Sequence, residues 1–128
     1  MSYYFNKTVK ISFEEAVIKV TEELKKEGFG VLTEIDVKET LKKKLGVDFR
    51  PYKILGACNP PFAYQALQAE DKIGLMLPCN VIVQEISKGT VEIAAIDPAS
   101  AMQGIDNPAL AKIAEQVRDK LRKVVANM

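Results

Sequence analysis

The stretch Ile54-Leu55-Gly56-Ala57-Cys58-Asn59-Pro60-Pro61-Phe62, answered by Leu77-Pro78-Cys79-Asn80, decides how this chain folds. Its first half is apolar on both sides, as expected of an interior strand, and gives a strand over 52–57. Asn59-Pro60 then starts a helix. A side chain able to cap is followed by the residue whose missing N–H costs nothing at the first helical position. Phe62, Ala63, Ala66 and Leu67 supply that helix's apolar stripe to about Ala69. The run Ile73 to Leu77 is apolar without a period that separates strand from helical turn. Pro78 interrupts it, and Val81 to Ile86 is a strand. Both Cys-Asn dipeptides therefore stand at junctions between regular elements.

Working outward, Tyr3, Phe5, Val9 and Ile11 alternate with Tyr4, Asn6, Thr8 and Lys10, the period of a half-buried strand. Lys7 falls on the apolar side as an exception. Ser12 and Glu15 form a capping box, and Phe13, Ala16, Val17, Val20 and Leu24 make one helical stripe. Glu15–Lys19 and Glu22–Lys26 are spaced as i,i+4 ion pairs, each worth about 0.3 kcal/mol. Gly28 stands where the helix ends with positive φ. A second strand puts Phe29, Val31, Thr33, Ile35 and Val37 on one face and Leu32, Glu34 and Asp36 on the other. Asp36 and Glu39 resemble another capping box, with Leu41, Leu45 and a Gly46 stop giving a short helix over 37–45.

Toward the C-terminal end, Ser87-Lys88-Gly89 makes a hairpin turn into a strand from Thr90 to Ile96. Asp97 to Asp106 reads as a loop. Asn107-Pro108 repeats the helix start, and Leu110, Ile113, Val117, Leu121 and Val124 mark a long terminal helix. The order β-α-β-α-β-α-β-β-α predicts an α+β fold. Its largely antiparallel sheet carries the first and last helices on one face. With no repeat, linker or low-complexity segment, residues 1–128 form one domain.

Composition narrows the chemistry. A chain of 128 residues, 48% apolar and 27% charged, can bury a core and excludes global disorder. A net charge of +1 gives no electrostatic footprint for nucleic acid or an anionic membrane. Lys42-Lys43-Lys44 reads as a solvated helix end. No histidine occurs, which removes the usual general base, histidine-based nucleophile triads and the commonest nitrogen ligand. Two cysteines are too few to staple a domain of this size. No apolar run approaches the ~20 residues of a membrane helix, and no signal peptide pattern precedes Met1-Ser2-Tyr3-Tyr4. The expectation is a cytosolic protein with reduced thiols. Gly28-Phe29-Gly30 follows a helix and enters a strand, the reverse of a phosphate loop.

Ile54-Leu55-Gly56-Ala57-Cys58-Asn59-Pro60 and Ile73-Gly74-Leu75-Met76-Leu77-Pro78-Cys79-Asn80-Val81 resemble the signature of the bacterial and archaeal domain of unknown function 302 family. Glu34-Ile35-Asp36 and Asp97-Pro98 match its pattern too, and the similarity covers nearly the whole chain. The resemblance implies a small α+β fold with a TATA-box-binding-protein-like curved sheet gripped by a long helix, and a homodimer. That family has no settled activity, so the resemblance implies no mechanism.

Cys58 falls beside a helix N-terminus, where free N–H groups and the dipole stabilise a thiolate. The plainer alternative is a small buried hydrophobe at a strand end. Cys79 lies beyond twenty intervening residues, enough for a helix and a return to the same sheet edge. Two thiols brought together there would form a reversible disulfide or hold a soft metal ion such as zinc or copper. A closed zinc site would still need four ligands. Asn59 and Asn80 are placed to orient a ligand by hydrogen bonds, and Tyr64 to overhang the same end. Glu34 and Asp36 share a face as an acid/base pair, or else Glu34 is merely wet and Asp36 caps a helix. Asp97 is a turn-former, and Met76 and Met102 are core or loop residues whose thioethers would suit copper(I).

Three functions follow. The first is a homodimeric binding module for a small molecule or soft metal ion, its pocket formed by Cys58, Asn59, Cys79, Asn80, Glu34 and Tyr64. The second is a thiol-dependent redox or sulfur-transfer enzyme, with Cys58 reactive and Cys79 resolving. The third is a structural dimer with inert cysteines.

Overall fold

The computed structural model describes residues 2–128. Its strands are β1 (Tyr4–Val9), β2 (Gly30–Asp36), β3 (Tyr52–Cys58), β4 (Cys79–Ser87) and β5 (Thr90–Ile96). Its helices are α1 (Phe13–Lys26), α2 (Val37–Leu45), α3 (Pro60–Ala69), α4 (Pro98–Ala101) and α5 (Pro108–Ala126). The five strands form one wholly antiparallel sheet in the order β1-β5-β4-β3-β2.

Side chains alternate across a strand, so every second residue reaches the same face. Leu55 and Ala57 of β3, Val81 and Val83 of β4, and Val91, Ile93 and Ala95 of β5 are buried on one face. There they meet Ala16, Val20 and Leu24 of α1 and Val117, Leu121 and Val124 of α5. Each large aliphatic side chain buried this way is worth about 1.5–3 kcal/mol, against a few tenths for an exposed ion pair. The dry face therefore sets the fold. The opposite face carries a row in register, Ile35, Ile54, Ile82 and Ala94. Beside it a polar ladder runs from Arg50 Nε to Gln84 Oε1 (2.8 Å) and from Gln84 Nε2 to Glu92 Oε1 (2.7 Å). Asn6 Nδ2 completes it, donating to Glu92 Oε2 at 2.9 Å.

Several local expectations are met in detail. Ser12 accepts from the Glu15 N–H, Asp36 from Glu39 and Asn107 from Leu110, so all three cap their helices. Gly28, Gly46 and Gly89 adopt positive φ at the two helix ends and the hairpin turn. Lys7, the exception on the apolar side of β1, donates from Nζ to the Ala126 carbonyl near the C-terminal end of α5.

Other expectations are corrected. Alternation through β2 breaks at a bulge, because Val31 faces Ala57 and Thr33 faces Gly56, consecutive residues of β3. Val31 stays with the core, Thr33 and Ile35 turn to the open face, and Leu32 is left 69% exposed. Lys26 pairs with Glu23 at 2.7 Å rather than Glu22, and Lys19 donates to the Met128 carbonyl rather than pairing with Glu15. The run Ile73 to Leu77, compatible with strand or helical turn, takes the second form within a 3-10 helix, Asp71–Met76. The expected loop after β5 begins with α4, because Asp97 accepts from the N–H groups of Ala99 and Ser100.

Gly56 lies at the crowded centre of this arrangement. A Cβ there would overlap Thr33 Oγ1 and sit 2.7 Å from Pro78 Cγ. Gly56→Ala is expected to destabilise the protein by about 1–3 kcal/mol through overpacking. A urea unfolding series should show a lowered midpoint with an unchanged slope.

Candidate functional site

β3 ends with Ala57 on the dry face and Cys58 beside it, and Asn59 carries the chain into α3. Asn59 does not cap that helix, contrary to the reading of Asn59-Pro60. Its Nδ2 instead donates to the Glu27 carbonyl (3.1 Å) at the end of α1, tying the two helix ends together. The lost cap costs little because Pro60 and Pro61 have no N–H to satisfy. Gly28 permits the approach: it has φ +87°, and a Cβ there would lie 3.1 Å from Asn59 Nδ2. With Nδ2 engaged, Asn59 Oδ1 has no hydrogen-bond partner among the described residues, although Asn59 is only 8% exposed.

A second, smaller core forms from Ala66 of α3, Ile73 of the 3-10 helix, Met102 after α4, and Leu110 and Ala114 of α5. Between it and the main core lies a cavity of about 310 Å³. The cavity exists because the residues meeting there are small: Ala57, Ala63, Ala66, Gly74 and Ala114. Phe29, Phe62, Leu67 and Ile113 form much of the remaining wall. Among the described residues no charged one lines it, and Asn59 alone brings a side-chain nitrogen or oxygen to the wall.

Both cysteines are on this wall, and both are free thiols. Cys79 pairs in register with Ala57, so Cys58 is its diagonal neighbour across the strands. Cys79 is 8% exposed. Burial, with a smaller contribution from the charge of Cys58, pushes its pKa from the ordinary 9.0 up to about 11. The Cys79 thiol is therefore protonated at neutral pH, while Cys58 is half-buried.

The other residues singled out from sequence lie elsewhere. Asn80 faces the open side of the sheet with Tyr52, Ile82 and Gln84. Glu34 pairs with Lys53 at 2.6 Å and raises the pKa of that lysine, chiefly by hydrogen bonding, while Asp36 caps α2. Tyr64 is 66% exposed and forms no part of the wall. Met102 does line the cavity, whereas Met76 does not. Asp97 is buried, capping α4 and pairing with Arg118 Nε at 3.3 Å. Among the described residues no group of three or more His, Cys, Asp or Glu is placed to hold a metal ion. No described helix is long and apolar enough to cross a membrane. Sequence reading missed the contribution of α5. Ala63 and Ala66 on α3, facing Ala114 on α5, were the available signal.

Residues 5–128 match the model of the family described as "Domain of unknown function DUF302". The chain is also similar to a solved structure titled "Crystal structure of uncharacterized conserved protein DUF302 from Bacillus stearothermophilus". The two share 32% identity and a TM-score of 0.90, with 98% of each chain covered. No curated protein matches the chain.

The buried Cys79 thiol makes stability pH-dependent. The unfolded chain releases this proton near pH 9.0, whereas the folded protein holds it to about pH 11. Stability from this group is complete below the lower value and falls through the window by up to about 3 kcal/mol. Urea unfolding at pH 8 and pH 10 should show a larger loss for the native protein than for Cys79→Val.

Proposed function

We propose that this chain, which belongs to the DUF302 family, is a binding module for an apolar small molecule held in the cavity between its two cores. The carrying observation is a cavity of about 310 Å³ with an uncharged wall that is apolar except for Asn59 and the two thiols. Small-molecule sites typically enclose about 300–1,000 Å³ behind mostly apolar walls with a few placed polar groups. Five small side chains leave apolar surface uncovered here, and a ligand that removes it from water gains about 25 cal/mol for each Å².

The protonated Cys79 thiol counts against its part as the resolving thiol of a redox or sulfur-transfer enzyme, since a thiol held in its neutral form is a poor nucleophile. A purely structural role for the cysteines leaves the cavity unexplained. A soft metal ion is the second reading, since Cys58, Cys79 and the Met102 thioether all line the cavity. Two thiolates and a thioether suit copper(I) better than zinc, and binding would have to deprotonate Cys79. Two free cysteines also fit a reducing, cytosolic setting.

Homodimerisation is part of the same proposal. The Ile35, Ile54, Ile82 and Ala94 row is apolar on the sheet face opposite the main core, and the ladder from Arg50 to Asn6 borders it. A second copy of this face would bury the row and leave the ladder at the rim, the usual anatomy of an interface.

Two measurements test these claims. The neutral dye N-phenyl-1-naphthylamine should bind with enhanced fluorescence, and Ala63→Trp, which fills the cavity from a half-buried position, should weaken it at least tenfold. Equal binding by both proteins would place the dye elsewhere and overturn the cavity reading. Light scattering after size exclusion should give a dimer that Ile54→Lys converts to monomer; a monomeric native protein would end the dimer proposal.

A further inference from the structure

The cavity's chemistry constrains what enters it, and this step rests on the reading of the cavity as an apolar ligand site. None of its described wall residues is charged, so an ionised carboxylate, phosphate or ammonium inside would have no opposite charge to pair with. Burying such a group unpaired is far more costly than burying a neutral one. The usual escape for an anion is a helix N-terminus, and α3 begins at this wall. Here that escape is narrowed, with Phe62 the first residue of α3 that has an N–H to offer. Pro60 and Pro61 supply no N–H at the first two positions of α3. Asn59 also keeps its amide nitrogen on the Glu27 carbonyl, 3.1 Å away.

The orientation of the Asn59 amide follows from that contact, because only its nitrogen can donate to a carbonyl oxygen. Oδ1 is the group left over. It is an acceptor without a partner among the described residues, on a residue that is 8% exposed and lines the cavity. An acceptor kept unpaired beside apolar surface repels an anion and rewards a donor. Cys79 adds a neutral thiol to the same wall rather than a thiolate.

We infer that the ligand is a neutral amphiphile: an apolar body filling the space between the two cores, with a hydroxyl or amide group that donates a hydrogen bond to Asn59 Oδ1. An alcohol or primary amide fits this description. A fatty acid, an acyl phosphate or an alkylammonium ion does not.

Displacement of N-phenyl-1-naphthylamine at pH 8 by three probes of similar length tests the inference. The probes are 1-octanol (neutral donor), heptyl methyl ether (neutral, no donor) and octanoate (anion). The expected order is octanol tightest, the ether about fivefold weaker for the lost hydrogen bond, and octanoate at least tenfold weaker than octanol. In Asn59→Leu the octanol and ether affinities should converge. Should that variant fail to fold, the order measured on the native protein decides alone. Octanoate binding as tightly as octanol, or the ether matching octanol in the native protein, overturns the inference while leaving an apolar site in place. Failure of all three probes, with the dye bound equally by Ala63→Trp, overturns the site itself.

Discussion

The structure depends on one face of the sheet being dry. Leu55, Ala57, Val81, Val83, Val91, Ile93 and Ala95 present a continuous apolar surface, and α1 and α5 are placed by the need to cover it. α5 serves twice. Val117, Leu121 and Val124 close the main core, while Leu110 and Ala114 at its other end belong to the smaller core with α3 and the 3-10 helix. One long helix thus spans both clusters, and the cavity is the seam where they meet. Large side chains would have sealed that seam. Alanine and glycine keep it open.

The junction at Asn59 holds the seam in shape. Nδ2 ties the start of α3 to the end of α1, and Gly28 makes room for that contact in a backbone conformation most residues avoid. Gly56 has the corresponding role one strand turn earlier, where Thr33 and Pro78 occupy the space of a side chain. The cysteines follow from this geometry. Cys79 is drawn onto the dry face by its pairing with Ala57, which accounts for its burial and its raised pKa. Cys58 follows Ala57 at the strand's end and keeps partial contact with solvent.

The fold was largely legible in the chain. Capping residues at Ser12, Asp36 and Asn107 and the stops at Gly28 and Gly46 are local signals that need no tertiary context, and each held. The failures were of a different kind. The bulge at Val31–Thr33 is a matter of pairing with Ala57 and Gly56 of β3, a register between strands that periodicity in β2 does not carry. The role of Asn59 depends on a carbonyl thirty-two residues away, so a correct helix start was assigned the wrong hydrogen bond. For the site, Cys58, Asn59 and Cys79 lie on one wall, while Asn80 turns away by strand alternation and Glu34 and Tyr64 face solvent or an ion-pair partner. The cavity had no signature of its own in the chain. A space is recorded only by the small residues around it.

The central claim is that this seam is occupied by an organic ligand. Native mass spectrometry of the protein as isolated, without added ligand or metal, tests it most directly. The account predicts additional mass from an organic compound, released by solvent extraction and absent from Ala63→Trp. The bare sequence mass under every isolation condition, or a mass increment equal to a metal ion, would contradict it.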